Sequence, residues 1–454
     1  MKRFQQDMLH GPLFPNIISY TVPIILTSIL QLLFNAADLV VVGQYCGSIS
    51  VGAVGATGAI TNLIINLFIG LSVGAGVSTA HAIGSRNEEA MHRTVHTALP
   101  LALVSGVILT IVGVSFSETF LRWMDTPENV LPLSAVYMRI YFGGITFNMV
   151  YNFSAAILRA AGDTKGPLIY LSIAGVINVM LNLFFVAVCG MNVDGVALAT
   201  TFSQGVSAAL VVRALMRRTD ACRFHPKKMH FYKAQLSKMM RLGIPAGIQS
   251  SMFSISNVIV QSSVNSFGDI VISGNAAAAN IEGFAYATMN AFHQTALNFI
   301  GQNEGAGQHK RVKHILGVCL GCVAVVGLVV GGGLYALAPT LLPIYIPDSV
   351  EAIQYGVLRM SLVCLPYFLC GVMDVTSGAL RGLGASFSPM IISILGVCGM
   401  RIGWIMTIFR IPEYHTLRCL YVSYPISWLI TFVLELGLFC LLMAKKNRAH
   451  HPAP

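Results

Sequence analysis

Residues Pro23 to Gly43 (PIILTSILQLLFNAADLVVVG) form an apolar run with a single carboxylate, Asp38, deep inside it. A helix of this length rises about 30 Å, the thickness of the hydrocarbon core of a bilayer. An acid at the centre of such a helix costs about 2.5–3.5 kcal/mol on insertion scales. Asp38 must therefore snorkel to the helix end, where it would serve topology alone, or have a partner, a water-filled cavity or a bound cation. A further apolar turn (LVVV) follows it before Gly43. That favours the reading usual for an intramembrane acid, an ion or proton site.

The rest of the chain repeats the apolar theme. Of its 454 residues, 55% are hydrophobic and 10% charged, against roughly a quarter charged in soluble domains. This composition predicts a polytopic membrane protein. Met1 to Pro15 shows no short apolar core with a small-residue cleavage site, so the first run is expected to be a resident span. Twelve apolar segments can be drawn, at 15–43, 52–83, 94–116, 132–157, 167–189, 195–216, 243–266, 271–300, 315–338, 353–379, 387–409 and 419–444. With the amino terminus inside, 22 of the 28 Lys and Arg residues fall in inside segments, including the run from Arg213 to Arg241 and the tail Lys445, Lys446 and Arg448. The outside loops collect Glu118, Asp125, Glu128, Asp194, Asp269, Asp348, Glu351 and Glu413. This is the positive-inside pattern, and it places both termini in the cytoplasm. The net charge of +10 thus reports topology and anionic lipid headgroups rather than nucleic acid.

The ten cysteines are scattered, and Cys319-x-x-Cys322 reads as small residues on a membrane helix rather than a metal or redox motif. His92 and His96, four apart, are expected to be solvated at a basic helix start.

The chain contains an internal duplication. Pro23 and Asn35 are matched by Pro245 and Asn257 at an offset of 222, and Gly84 by Gly305 at 221. LRAAGDTKGP is matched by LRGLGASFSP, pairing Arg159 with Arg381, Gly162 with Gly384 and Pro167 with Pro389, again at 222. Six spans per half give both halves one orientation, so an all-α fold of two six-helix lobes related by a pseudo-two-fold axis along the membrane normal is expected. The boundaries follow: lobe 1–216, basic cytoplasmic linker 217–242, lobe 243–444 and tail 445–454.

Four acids lie inside spans: Asp38, Glu282, Asp374 and Glu435. In the repeat register Asp38 faces Val260, Asp374 faces Asn152 and Glu282 faces Ile60, so the two lobes are decorated differently. Asn178 and Asn182 share a helix face four residues apart, and Thr200 lies in the middle of the sixth span. Carboxylate, amide oxygen and hydroxyl suit a hard cation or a relayed proton, while interhelical hydrogen bonding is the alternative for the asparagines. Arg159 and Arg381 are expected to cap helix ends. Arg401, inside the eleventh span, could neutralise an acid such as Asp374.

The early proline, AADLVVVG, NEGAGQHKRV and the paired LRAAGDTKGP and LRGLGASFSP segments together resemble the multidrug and toxic compound extrusion (MATE) family over essentially all twelve spans. The resemblance implies a V-shaped pair of six-helix lobes that extrudes organic, often cationic or amphipathic compounds in exchange for Na⁺ or H⁺. It implies a coupling site at Asp38, Asn178, Asn182 and Thr200. Many relatives carry Asp where this chain has Asn182, so one formal charge is missing and the ion stays open between Na⁺ and H⁺. Apolar and aromatic cavity residues, with Glu282, Asp374, Asn35, Asn257 and Arg401 as polar candidates, would contact substrate. The expectation is a monomeric antiporter of the bacterial plasma membrane with no cofactor beyond the coupling ion. A lipid-linked oligosaccharide flippase of the same superfamily is the alternative, although its cavities tend to be cationic. A membrane-embedded enzyme would need DDxxD or HExxH, and neither occurs. A passive channel is disfavoured by the duplicated design.

Overall fold

The computed structural model describes residues 6–450. Lys2, Arg3 and residues 451–454 of the tail lie outside them. The described residues are helical nearly throughout and contain no strand. The first half comprises α1 (Leu13–Tyr45), α2 (Ser48–Gly84), α3 (Glu88–Trp123), α4 (Leu131–Gly143), α5 (Ile145–Ala160), α6 (Lys165–Asn182, continued by a π-helical turn at Leu183–Val188) and α7 (Val193–Met216). The second comprises α8 (Lys233–Asn265), α9 (Asp269–Gly305), α10 (His309–Ala336), α11 (Ala338–Tyr345), α12 (Val350–Arg359, continued by a π turn at Met360–Cys364), α13 (Tyr367–Gly382), α14 (Phe387–Ser393, continued by a π turn at Ile394–Gly399), α15 (Met400–Met406) and α16 (Leu417–His450).

Each of the twelve apolar segments lies on one helix or one interrupted rod. Eight are long and apolar enough to cross a membrane by themselves, and α12 with α13, bent by 41° at their junction, makes a ninth. The remaining three fall short for visible reasons. The α4–α5 rod is broken at Gly144. The other two, α8 and α9, carry polar residues such as Gln249, Asn257 and Gln261, or Asn275, Asn280 and Glu282. Such helices can be stable in lipid only when their polar faces meet protein.

The duplication is written into the backbone. Both α1 and α8 have 33 residues, and both α2 and α9 have 37. The fourth span of each half is interrupted at equivalent positions, Gly144 and Pro366, which are the residues just before α5 and α13. The turns that follow those helices use Gly162 (φ 89°) and Gly384 (φ 86°). A side chain there would occupy the left-handed region at a steric cost, so glycine is the residue the turn demands.

The chain divides into two compact units that exchange helix starts. Of the described residues, one comprises 6–7 and 22–251, the other 8–21 and 252–450. Within the first unit the opening of α8 packs on α2 with backbones nearly touching. A methyl group on Gly70 would lie 2.2 Å from the Gly247 nitrogen, and one on Gly74 2.2 Å from the Met239 carbonyl oxygen. Small residues at both faces permit this approach. Within the second unit the opening of α1 packs on α9: the Thr21 and Thr295 hydroxyls lie 2.8 Å apart, Tyr20 meets Phe299 edge-on, and Asn303 donates to the Met8 carbonyl (3.0 Å).

The segment after α7 is anchored within the first unit, and His96 is fully buried rather than solvated. Its Nδ1 bonds the His92 carbonyl (2.8 Å), and its Nε2 accepts the backbone N–H of His225 (3.0 Å). That segment folds back onto α3 and takes His96 out of water. His92, stacked on it, is half-buried.

Candidate functional site

In the first unit Asp38 is buried, at 8% exposure, and is the hub of a closed ring of polar side chains. Asn182 Nδ2 donates to Asp38 Oδ1 and to Asn178 Oδ1 (3.3 Å). Asn178 Nδ2 donates to Thr200 Oγ1 (3.4 Å), and Thr200 donates to Asp38 Oδ2 (3.2 Å). Three helices thus converge on one carboxylate: α1 supplies the acid, α6 the asparagines one turn apart, and α7 the hydroxyl. The π turn of α6 begins directly after Asn182, the kind of local irregularity that often marks a functional position. Gly175, three residues and so about one turn before Asn178, lets α6 close on the Phe34 ring; a methyl group there would lie 1.8 Å from that ring.

The ring borders a cavity of about 70 Å³ lined by Gln31, Asn35, Asn148, Asn178, Thr200 and Gln204 among others. A volume of that size holds a few waters and is well short of the roughly 300–1,000 Å³ typical of organic-ligand pockets. One buried acceptor, Asn182 Oδ1, has no hydrogen-bond partner among the described residues. Turning the amide over would present this oxygen to Asp38, an arrangement that two acceptors tolerate only with a cation or a proton between them. The donor set, one carboxylate with amide and hydroxyl oxygens, fits a hard monovalent ion or a proton.

The sequence candidates of the second unit fall in three places. Glu282 forms a buried bidentate ion pair with Arg359 (2.9 and 2.8 Å). Arg359 also donates to Asn275 Oδ1 (2.7 Å), which accepts the Tyr421 hydroxyl (3.0 Å) as well, while the Asn275 amide donates to Gln261 (2.7 Å). Asp374 lies in a second cluster: its carbonyl meets His293 Nδ1 at 2.7 Å, and the opposite charge acting on its carboxylate is Arg381. Glu435 belongs to the same electrostatic neighbourhood and accepts a bond from Ser393 (2.7 Å). Among the described residues Arg401 forms no ion pair with Asp374, and Arg381 is the cation whose charge acts on that carboxylate. Arg401 instead lies over the rings of Tyr424 (4.1 Å) and Trp428 (5.7 Å), with Nε donating to Ser427 (3.0 Å). Each such cation–π contact contributes about 0.5–2 kcal/mol. Asn35 is exposed on α1 beside the first-unit cavity, and Asn257 is exposed on α8.

Sequence reasoning missed Arg359, although a guanidinium inside the apolar segment 353–379 was itself a sign of a buried partner. It also missed the rest of the cavity wall on α7. Ser203, Gln204 and Ser207 follow Thr200 at helical spacing and mark one polar face.

Duplicated apolar helices with a buried polar ring are the features of a multi-pass membrane protein with a polar site inside it, and its relatives make that protein a transporter. The MatE family model matches residues 23–184 and 245–405, two stretches that begin 222 residues apart. The chain belongs to the MATE family. It is 26% identical over 437 residues to the Bacillus subtilis probable multidrug resistance protein YoeA, with 94% of each chain covered. It is 26% identical to the Thermotoga maritima probable multidrug resistance protein NorM (85% of this chain, 83% of the relative) and 24% identical to a Shewanella oneidensis FAD transporter (86% and 87%). Among solved structures, an outward-facing MATE transporter of the MOP superfamily superposes with a TM-score of 0.89 at 21% identity, over 97% of this chain and 98% of that one. A MATE transporter in a bent conformation gives 0.89 at 20% identity with the same coverage.

Proposed function

We propose that the protein is a secondary antiporter that exports organic compounds by alternating access, driven by an ion bound at Asp38. The observation that carries this reading is the Asp38–Asn182–Asn178–Thr200 ring at a water-sized cavity. In the absence of an ion the carboxylate accepts bonds from Asn182 and Thr200. Arrival of a proton or Na⁺ removes its net charge and turns the Asn182 oxygen inward. Because Asp38 and Pro23 lie on one helix, and proline cannot complete the helical ladder, a change of charge at Asp38 alters the tilt of α1 about that weak point.

The missing charge at Asn182 makes H⁺ the proposed ion. The protein lies in the bacterial plasma membrane as a monomer with both termini, and the basic segment 217–242, in the cytoplasm. Relatives include multidrug resistance proteins and an FAD transporter, so the proposed substrates are amphipathic organic molecules of either charge. Dye efflux from vesicles under separately imposed Na⁺ and H⁺ gradients tests the reading. Wild-type protein should respond to the H⁺ gradient and Asp38→Asn to neither. Unchanged ion-driven efflux by Asp38→Asn would show that Asp38 is not the coupling group.

A further inference from the structure

Among the described residues of the second unit, each buried acid lies near an arginine other than Arg401. Glu282 is held by Arg359, and Asp374 and Glu435 share the field of Arg381. Arg401 is the exception on the basic side. It is 4% exposed, and no carboxylate among the described residues forms an ion pair with it. Its one hydrogen bond goes from Nε to Ser427 Oγ (3.0 Å), and that hydroxyl spends its own proton on the Tyr424 carbonyl (2.7 Å). Among the described residues the two terminal NH₂ groups have no acceptor.

The surroundings are aromatic. Tyr424 lies beneath the guanidinium, Trp428 beside it, and Tyr367 meets Trp428 edge-on at 5.2 Å. Arg359 also lies over the Tyr424 ring (5.6 Å), so two guanidinium groups approach one ring. Rings delocalise part of a cation's field but accept no bidentate hydrogen bond. The free end of a guanidinium is a planar fork matched to carboxylate and phosphate oxygens.

We propose that Arg401, framed by Tyr424 and Trp428, is an oxyanion-binding subsite that takes the carboxylate or phosphate group of an amphipathic aromatic substrate. The anion sits on the terminal NH₂ groups, and the aromatic part of the ligand packs against the Trp428 and Tyr367 rings. The subsite depends on the exporter reading only for its use in transport; binding can be measured without an ion gradient.

The probes are flavin mononucleotide and riboflavin, which share a ring and differ by a phosphate. Full-length protein in phosphatidylcholine nanodiscs should bind the mononucleotide about tenfold more tightly, the worth of a charge-assisted hydrogen bond. Arg401→Gln should bring the ratio to about one, and Arg401→Lys, which keeps the charge but not the fork, should fall between. Equal affinities in the wild type, or an unchanged ratio in Arg401→Gln, overturn the proposal. Should Arg401→Gln fail to fold, inorganic phosphate decides: it must displace the mononucleotide from wild-type protein and leave riboflavin bound, and failure to do so overturns the proposal. Repeating the titration in phosphatidylglycerol nanodiscs separates sources. Loss of the preference there assigns the subsite to a lipid phosphate, and its persistence assigns it to a soluble oxyanion. Failure of ion-driven efflux with the flavin preference intact refutes the antiport reading alone; the opposite result refutes the subsite alone.

Discussion

The Glu282–Arg359 pair allows a structural acid to be told apart from a substrate-binding one. Glu282→Gln removes the countercharge and leaves a buried guanidinium with Asn275 and two aromatic rings as its company. Breaking a buried pair from one side costs about 3–5 kcal/mol. In a unit of about two hundred residues, each kcal/mol moves the melting temperature by roughly 2–4 °C, so the expected loss is roughly 6–20 °C. The double variant Glu282→Leu with Arg359→Met removes both charges. Asn275 Oδ1 keeps its bond from Tyr421 and the Asn275 amide keeps Gln261, so no buried polar group is orphaned. Replacing both charges by apolar groups of similar size is close to neutral, and the double variant should melt within about 5 °C of wild type on the same scale. The assay is aggregation after stepped heating, followed by size-exclusion chromatography in detergent, with dye efflux measured alongside. If Glu282→Gln abolished efflux at an unchanged melting temperature, the carboxylate would be acting on substrate and the structural account of the pair would fail.

Asn182→Asp adds the charge that many relatives carry, and vesicle efflux should become Na⁺-stimulated; continued indifference to Na⁺ would show that the missing charge does not choose the ion. Gly175→Ala places a methyl group 1.8 Å from Phe34, which drives the ring toward the Asp38 cavity; overpacking of this kind costs about 1–3 kcal/mol. Dye efflux at matched expression should fall, and Phe34→Leu in the same chain should restore it. Burial pushes the Cys222 thiol up to about 12 from its ordinary value near 9. The thiolate is the reactive form, so a thiol pushed up to about 12 holds about a thousandfold less of it at neutral pH. In folded protein the exposed Cys189 should therefore take up maleimide at pH 7.5 while Cys222 does not, and Cys222 should react only as the pH approaches 12 or after denaturation.

Much of the fold was legible because membrane physics leaves few choices. An apolar run such as Pro23–Gly43 must be a helix, and the 222-residue offset made the second half readable from the first. The break at Gly144 was harder to read, since glycine inside an apolar segment signals packing as readily as interruption; only its match with Pro366 reveals a shared hinge point. At the candidate site, the Asn178–Asn182 spacing exposed one face of α6, and the family resemblance joined it to Asp38 and Thr200. The partner of Glu282 was not legible. Arg359 lies 77 residues away, and no local periodicity links the two. His96 misled for a related reason: a basic stretch looks solvated until a distant segment, here His225, folds over it.

The exchange of helix openings has a consequence for the chain's origin. Residues 8–21 belong to the unit built from the second repeat, and the start of α8 belongs to the unit built from the first. Each repeat therefore finishes the other, in the manner of two protomers that swap amino-terminal arms. A single ancestral repeat could close its own bundle only by meeting a second copy, so duplication and fusion would have joined an existing dimer. Severed between α7 and α8, the protein should fold only when both fragments are made together.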